Sequence, residues 1–247
     1  MTTLEREAII ASVGDFVSRL QLGGPARRLF RGQNIDMCLL PRIMRLAKDK
    51  GIRPQALEKI ERKMLDRFRR ESVAVLPGAR ELTSWELLSI AAHRGMPTRL
   101  LDWTGNALAA LWFAVSSDPP DNEDRGVVWV VKLTQGNVKT PAASDDVFAP
   151  KHTHFFQPFH SDQRIVAQSG WFSVYRHNRT EFLPLEKLER FRPNLQRMII
   201  PRDDFPAIRK ELRQLGIGQA SMFPDLSGLG ADIQAEFIDS WRGLRTI

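Results

Sequence analysis

Apolar positions recur along this chain in two patterns, one with helical spacing and one in short β-branched runs. Residues 4–21 place Leu4, Ile9, Val13, the pair Phe16 and Val17, and Leu20 at near-helical intervals, which predicts an amphipathic helix that stops before Gly23-Gly24-Pro25. Residues 29–31 predict a short strand. Residues 36–48 predict a helix with Pro41 near its start, where a missing N–H costs nothing. From 54 to 75, Leu57, Ile60, Met64, Leu65 and Phe68 form an apolar face in an otherwise charged stretch, so a long helix with a wet face is expected. Ser84 is a plausible N-cap for a helix that closes at Gly95.

Pro97 disfavours helix at Met96, and the residues that follow it to Thr104 fit a short strand or extended turn. Residues 106–115 are a very apolar helix. Gly126 to Leu133 is the clearest strand, β-branched and bounded by turn chemistry. Residues 134–163 lack periodicity and predict a long loop, the kind of segment that is commonly functional or mobile. A strand pair is expected at 164–168 and 171–175 around Ser169-Gly170, and a further strand at 198–200. Asp203 is expected to cap a helix reaching 215, and a last helix covers about 231–242. The expectation is α+β: one domain over 25–247 after an N-terminal helix in 1–24, with short central strands in a split mixed sheet surrounded by helices.

Composition narrows the function classes. Of 247 residues, 43% are hydrophobic and 26% charged, ordinary for a globular chain. No apolar run reaches the roughly 18 residues a membrane span needs. The start, Met1 to Ala8, shows no secretory pattern, and the single cysteine, Cys38, excludes an internal disulfide. A cytoplasmic protein with no membrane partner is expected. The net charge of +7 favours an anionic partner, although acids are interspersed, as in Glu58-Lys59-Ile60-Glu61.

The chemistry-bearing patterns thin out quickly. His152, His154 and His160 lack acidic or thiolate ligands at zinc spacing, so no metal is predicted. Cys38 lies among apolar neighbours and reads as a core thiol. No nucleophile elbow, P-loop or dinucleotide fingerprint occurs. The segment His93 to Thr104 stands apart. It places an imidazole, two guanidiniums, a carboxylate and two hydroxyls between two apolar helices, and such groups are costly to bury unpaired. One reading pairs Arg99 with Asp102 as a structural brace between the helices. The other presents polar groups to a ligand from a connection stiffened by Gly95 and Pro97. His93 has the intrinsic pKa of a general base, near 6.5, and equally suits a helix C-terminus.

Phe30-Arg31-Gly32-Gln33, Leu40-Pro41-Arg42 with Arg45, the run Ala92 to Thr104, Ala110 to Ala114, Arg164 to Phe172 and Phe223 to Leu229 together resemble the FRG-domain family in its order of blocks. Ala92 departs from that pattern, in which Gln usually precedes the histidine. The order of blocks also resembles, more weakly, the ADP-ribosyltransferase plan. That likeness implies NAD as substrate, with nicotinamide–ribose cleavage and transfer to a protein or nucleic-acid acceptor, or hydrolysis alone. It places Arg31 and Gly32 at the phosphates, Trp103 or Phe30 against nicotinamide, and Thr104 at the ribose. Gln168 falls where the catalytic acid stands, with His93 as an accessory base. Glutamine carries no charge to stabilise an oxocarbenium ion, so Asp102 or Glu181 would have to supply it. A non-catalytic module binding a nucleotide or nucleic acid is the alternative.

Overall fold

The structure is a computed structural model that describes residues 7–20, 26–76, 78–159, 163–178 and 180–242. In chain order the elements are β1 (Glu7–Ile9), α1 (Val13–Arg19), β2 (Arg28–Gln33), α2 (Arg42–Asp49), α3 (Pro54–Ser72), α4 (Ser84–His93), β3 (Leu100–Thr104), α5 (Ala107–Val115), β4 (Arg125–Lys132), β5 (His154–Phe156), α6 (Gln163–Ala167), β6 (Gly170–Val174), β7 (Leu195–Pro201), α7 (Phe205–Gln214), α8 (Gln219–Met222) and α9 (Leu226–Arg242). The strands form one sheet in the order β1-β7-β4-β2-β3-β6-β5. It is mixed, because β1 runs parallel to β7 while the other pairs are antiparallel. An α+β architecture is therefore observed. Among the described residues, no helix is long and apolar enough to cross a membrane.

The sheet narrows at its centre. β2 pairs with β4 along its whole length, from Arg28↔Lys132 to Gln33↔Val127, but meets β3 at a single register position, Phe30↔Thr104. Beyond that pair the two strands part. One face of the sheet carries Leu29, Trp129, Leu101, Trp103 and Tyr175 under α2 and the start of α3. The other carries two clusters. One joins Phe30, Val128 and Met198 to α1, α5 and α7, and the other joins Leu100, Phe172 and Phe156 to α4.

The Phe-Arg-Gly triplet has a packing explanation. Strand alternation sends Phe30 into the core under α5 and turns Arg31 to the opposite face. A Cβ at Gly32 would stand 1.8 Å from the Ala110 carbonyl oxygen, so only glycine lets β2 touch the backbone of α5. The α5 helix is started by Asn106, whose side-chain oxygen accepts from the N–H groups of Leu108 and Ala109, and its Ala-rich sequence permits the close seating.

Several expectations are corrected. The predicted helix over 4–21 is divided into β1 and α1. Ile9 and Ile10 are drawn into pairing with β7, and Ser12 caps α1 by accepting from the Asp15 N–H. Ser84 is the first helical residue of α4 rather than its cap. Thr83 is the N-cap, in a reciprocal box with Glu86, an arrangement worth about 1 kcal/mol. The helix ends where Gly95 adopts φ +85 and the Met96 N–H reaches back to Ala91, as in a Schellman turn. The expected loop over 134–163 contains β5 and a 3-10 turn at Gln135–Asn137. Residues 164–168, expected as a strand, begin in the short helix α6, with Gln168 just past its end. Asp203 lies in a 3-10 turn, and Asp204 takes the cap position of α7. The last helix begins earlier than expected, at Leu226.

Candidate functional site

Arg31 occupies the opening between β2 and β3. Its Nη1 donates to the Asp102 carbonyl oxygen at 2.8 Å and lies 3.6 Å from the Asp102 carboxylate. The Arg31 side chain is 16% exposed and that of Asp102 is 64% exposed, so the guanidinium is walled in while its counter-ion faces water. Burial pulls the Arg31 guanidinium below its ordinary range, Asp102 opposes this, and the like charge of Arg45 adds to it. Arg42 donates to the Gly95 carbonyl and Arg45 to that of Leu40. The Phe-Arg-Gly block, the Leu-Pro-Arg block and the turn after α4 thus meet here.

A second feature extends from Arg31 across the sheet. Arg31 is the cross-strand neighbour of Trp129, and Trp129 of Arg197. These side chains share one face, with Gln33 two residues along from Arg31. Buried in this row and without a hydrogen-bond partner are the Nε of Arg31, both amide atoms of Gln33, the indole nitrogen of Trp129 and the Nε of Arg197. Arg197 also pairs with Asp36 and Glu7 and sits over the Trp129 ring at 5.8 Å. Buried polar groups in native folds are nearly always paired, and an orphan costs about 1–3 kcal/mol. The row holds four donor nitrogens against one acceptor oxygen, a balance that suits an oxygen-rich anion.

The remaining predicted residues have structural partners. Thr104 and Gln168 are brought together, but through backbone. The Thr104 hydroxyl donates to the Gln168 carbonyl and accepts from the Asn106 N–H, while the Gln168 amide donates to the Met222 carbonyl. Both belong to a joint between two turns in which Ser169 adopts φ 47. Thr104 is paired with Phe30, so it lies on the sheet face away from Arg31, and the three do not line one cleft. Trp103 is 3% exposed and Phe30 4%. The Trp103 indole donates to Ser173 and its ring meets the edge of Phe155, so neither aromatic is open for stacking. The close approach that Gly32 permits is made by α5 rather than by a phosphate. His93 packs edge-on against Phe172 and lines a cavity of about 620 Å³ with Phe68 and Ile165. Cys38 is exposed rather than part of the core.

Arg99 does not pair with Asp102. It is fully buried and bound to Glu61 of α3. The Arg99 backbone N–H and Nε donate to the two carboxylate oxygens at 2.6 and 2.8 Å, and Nη1 donates to the Phe148 carbonyl at 2.8 Å. His177 Nε2 stands 3.3 Å from the same carboxylate. Burial would raise the Glu61 pKa, but the hydrogen bond from His177 and the charge of Arg99 outweigh it, and the carboxyl is held below its ordinary value. Sequence reasoning missed Glu61 and His177. The signal for Glu61 is its place between Leu57 and Leu65 on the apolar stripe of α3, where all three are buried.

Among the described residues, no group of three or more His, Cys, Asp or Glu could hold a metal ion. His152 lines a cavity of about 1040 Å³, whereas His154 is turned against Trp85, and His160 lies outside the described residues. The blocks at 164–172 and 223–229 meet through the Arg164–Asp225 ion pair at 2.5 Å, with the Arg164 guanidinium over Phe223.

Compared with known families, the chain matches the FRG domain over residues 26–123. That segment carries the Phe-Arg-Gly, Leu-Pro-Arg and His93–Thr104 blocks and ends before β4, so the blocks at 164–172 and 223–229 lie outside it. No match was found among curated proteins or among solved structures.

Proposed function

We propose that the chain binds a nucleotide through its diphosphate on the face of β2, β4 and β7, with NAD as the nucleotide, and that binding rather than cleavage is its activity. The observation that carries this reading is the buried, donor-rich row of Arg31, Gln33, Trp129 and Arg197. Diphosphate oxygens accept from several donors at once, and guanidinium groups match their geometry. The row reaches the surface at both ends, where the Arg31 and Arg197 side chains are 16% and 18% exposed.

The likeness to the ADP-ribosyltransferase plan motivates NAD as the nucleotide. The placement of Gln168 supports binding over cleavage, because its amide is spent on the Met222 carbonyl at 3.1 Å and brings no negative charge. Asp102 is the carboxylate at the opening, the group on which cleavage would depend. Titration of the protein with NAD, ADP-ribose and pyrophosphate by calorimetry, alongside nicotinamide release from labelled NAD in lysate, tests this. Saturable binding without release is expected. Release that is lost in Asp102→Asn would replace the binding reading with the transferase one. Failure to bind any of the three ligands would remove the nucleotide reading altogether.

A further inference from the structure

Helix α9 is held to the fold on one side only, and its main packing partner is α8. The start of the helix is fixed. A Cβ at Gly228 would stand 1.9 Å from the Phe223 carbonyl oxygen, and the Asp232 carboxylate accepts from the Gln219 N–H at 2.8 Å. Ala231, Asp232, Ala235 and Glu236 then line a cleft of about 1140 Å³ toward α7, so the second half of the helix stands off the body.

The opposite side is apolar and open. Leu226, Leu229, Ile233 and Phe237 follow one another at intervals of three, four and four, which keeps them in one stripe, and they are 48% to 86% exposed. At about 200 Å² for a fully open side chain of this size, the stripe exposes roughly 500 Å² of apolar surface. A homodimer interface of about 800 Å² per partner is about 65% apolar, so the stripe supplies the apolar area that such an interface needs. A helix also draws most of its stability from packing an apolar face, and α9 carries two poor helix formers, Gly228 and Gly230.

Charge narrows the occupant. The chain carries +7 overall, yet α9 holds Asp232, Glu236 and Asp239 against Arg242 alone. Helices that lie on lipid present lysine and arginine beside their apolar face, and nucleic acid repels carboxylates. We infer that α9 pairs with α9 of a second copy, antiparallel, about a two-fold axis at Ile233. That axis sets Ile233 against its own counterpart and Leu229 against Phe237 in both halves of the contact, the self-complementarity that two-fold symmetry requires. It also levels Glu236 with Gly230 and Asp232 with Gln234, so no acid faces its own copy, whereas a parallel pair would stack each acid on itself. The stripe shares no residue with the Arg31 row.

The test is the oligomeric state of the full chain, read by sedimentation between about 1 and 100 µM. A dimer is expected. Ile233→Asp is expected to weaken association at least about 30-fold, and Phe237→Ser serves if that variant does not fold. In a Cys38→Ser background, Ile233→Cys is expected to form a disulfide-linked dimer on mild oxidation, while Ala231→Cys, on the cleft side, is not. Calorimetric titration of ADP-ribose is expected to give the same result for Ile233→Asp as for the wild type, which separates a failure here from a failure of the nucleotide reading. Four results would overturn the inference: a wild type that stays monomeric at about 100 µM, a monomer that binds vesicles of phosphatidylglycerol and phosphatidylcholine, a dimer indifferent to both Ile233→Asp and Phe237→Ser, or a disulfide that forms as readily at 231 as at 233.

Discussion

Arg99, just before β3, and Arg31, on β2, belong to the two halves of the sheet that meet at Phe30↔Thr104, and both come from blocks that make this sequence recognisable, yet their surroundings differ. Arg99 is enclosed by Glu61, the Phe148 carbonyl and the Phe148 ring, with both partners of the ion pair fully buried. Arg31 has one backbone acceptor, a carboxylate that prefers water, and a like-charged Arg45 nearby. A buried charge with a dedicated counter-ion is a fixed part of the fold, and removing one partner strands the other. Each guanidinium leaves a buried nitrogen without a partner, Nη2 in Arg99 and Nε in Arg31, so what separates them is the counter-ion, enclosed for Arg99 and open to water for Arg31. The contrast assigns Arg99 to architecture and Arg31 to binding, although neither role is visible in the residue type.

The comparison breaks most easily at Glu61. Glu61→Ala leaves Arg99 buried without its counter-ion and is expected to cost about 3–5 kcal/mol in urea unfolding. A cost below about 1 kcal/mol would show that the pair is not structural. Gly32→Ala forces a methyl toward the Ala110 carbonyl, and a loss of about 1–3 kcal/mol or more is expected from overpacking. The same unfolding experiment, together with the near-ultraviolet spectrum of Trp112, would reveal displacement of α5.

Acid sharpens the contrast further. The Glu61 pKa is held below the ordinary 4.5 in the folded chain, so the native state binds fewer protons there than the unfolded state does. Its contribution is therefore present above pH 4.5 and is lost as pH falls through the lower folded value. Urea midpoints measured from pH 7 to pH 3 are expected to fall below pH 4.5 in the wild type and to flatten in Glu61→Gln. An unchanged slope in the variant would contradict this assignment.

The smallest effect has the opposite sign. Gln33→Leu removes an amide buried at 6% exposure whose two polar atoms have no partner, so stability is expected to rise by about 1 kcal/mol while nucleotide affinity falls. A loss of stability would mean that the amide is satisfied within the fold.

Much of this architecture is legible locally. The Val-rich run of β4, the apolar α5 after Asn106 and the punctuation at Gly95 and Pro97 all state their conformation within a few residues. Thr83 and Glu86 also spell a capping box, three residues apart. The errors arise where distant partners decide. Ile9 and Ile10 carry helical spacing, but pairing with Ile199 and its neighbours makes them extended. Residues 164–168 look β-branched, yet Ile165 packs over Gly170, where an added Cβ would lie 3.2 Å from its side chain, and Arg164 is held by Asp225.

The candidate site was half legible. Arg31 is flagged by its triplet, whereas the buried row requires knowing that Arg31, Trp129 and Arg197 are cross-strand neighbours. Gly32, Trp103 and Thr104 draw attention in sequence because packing constrains them, and packing leaves the same kind of signature as ligand binding.

The central claim is that the Arg31 row binds phosphate, and calorimetric titration of ADP-ribose into the wild type and Arg31→Ala tests it most directly. The account predicts saturable binding to the wild type and a loss of at least about tenfold in Arg31→Ala, from removing a charge-assisted contact, with unfolding stability changed by no more than about 1 kcal/mol. Equal affinity in the two proteins, or no binding to a folded wild type, would contradict it.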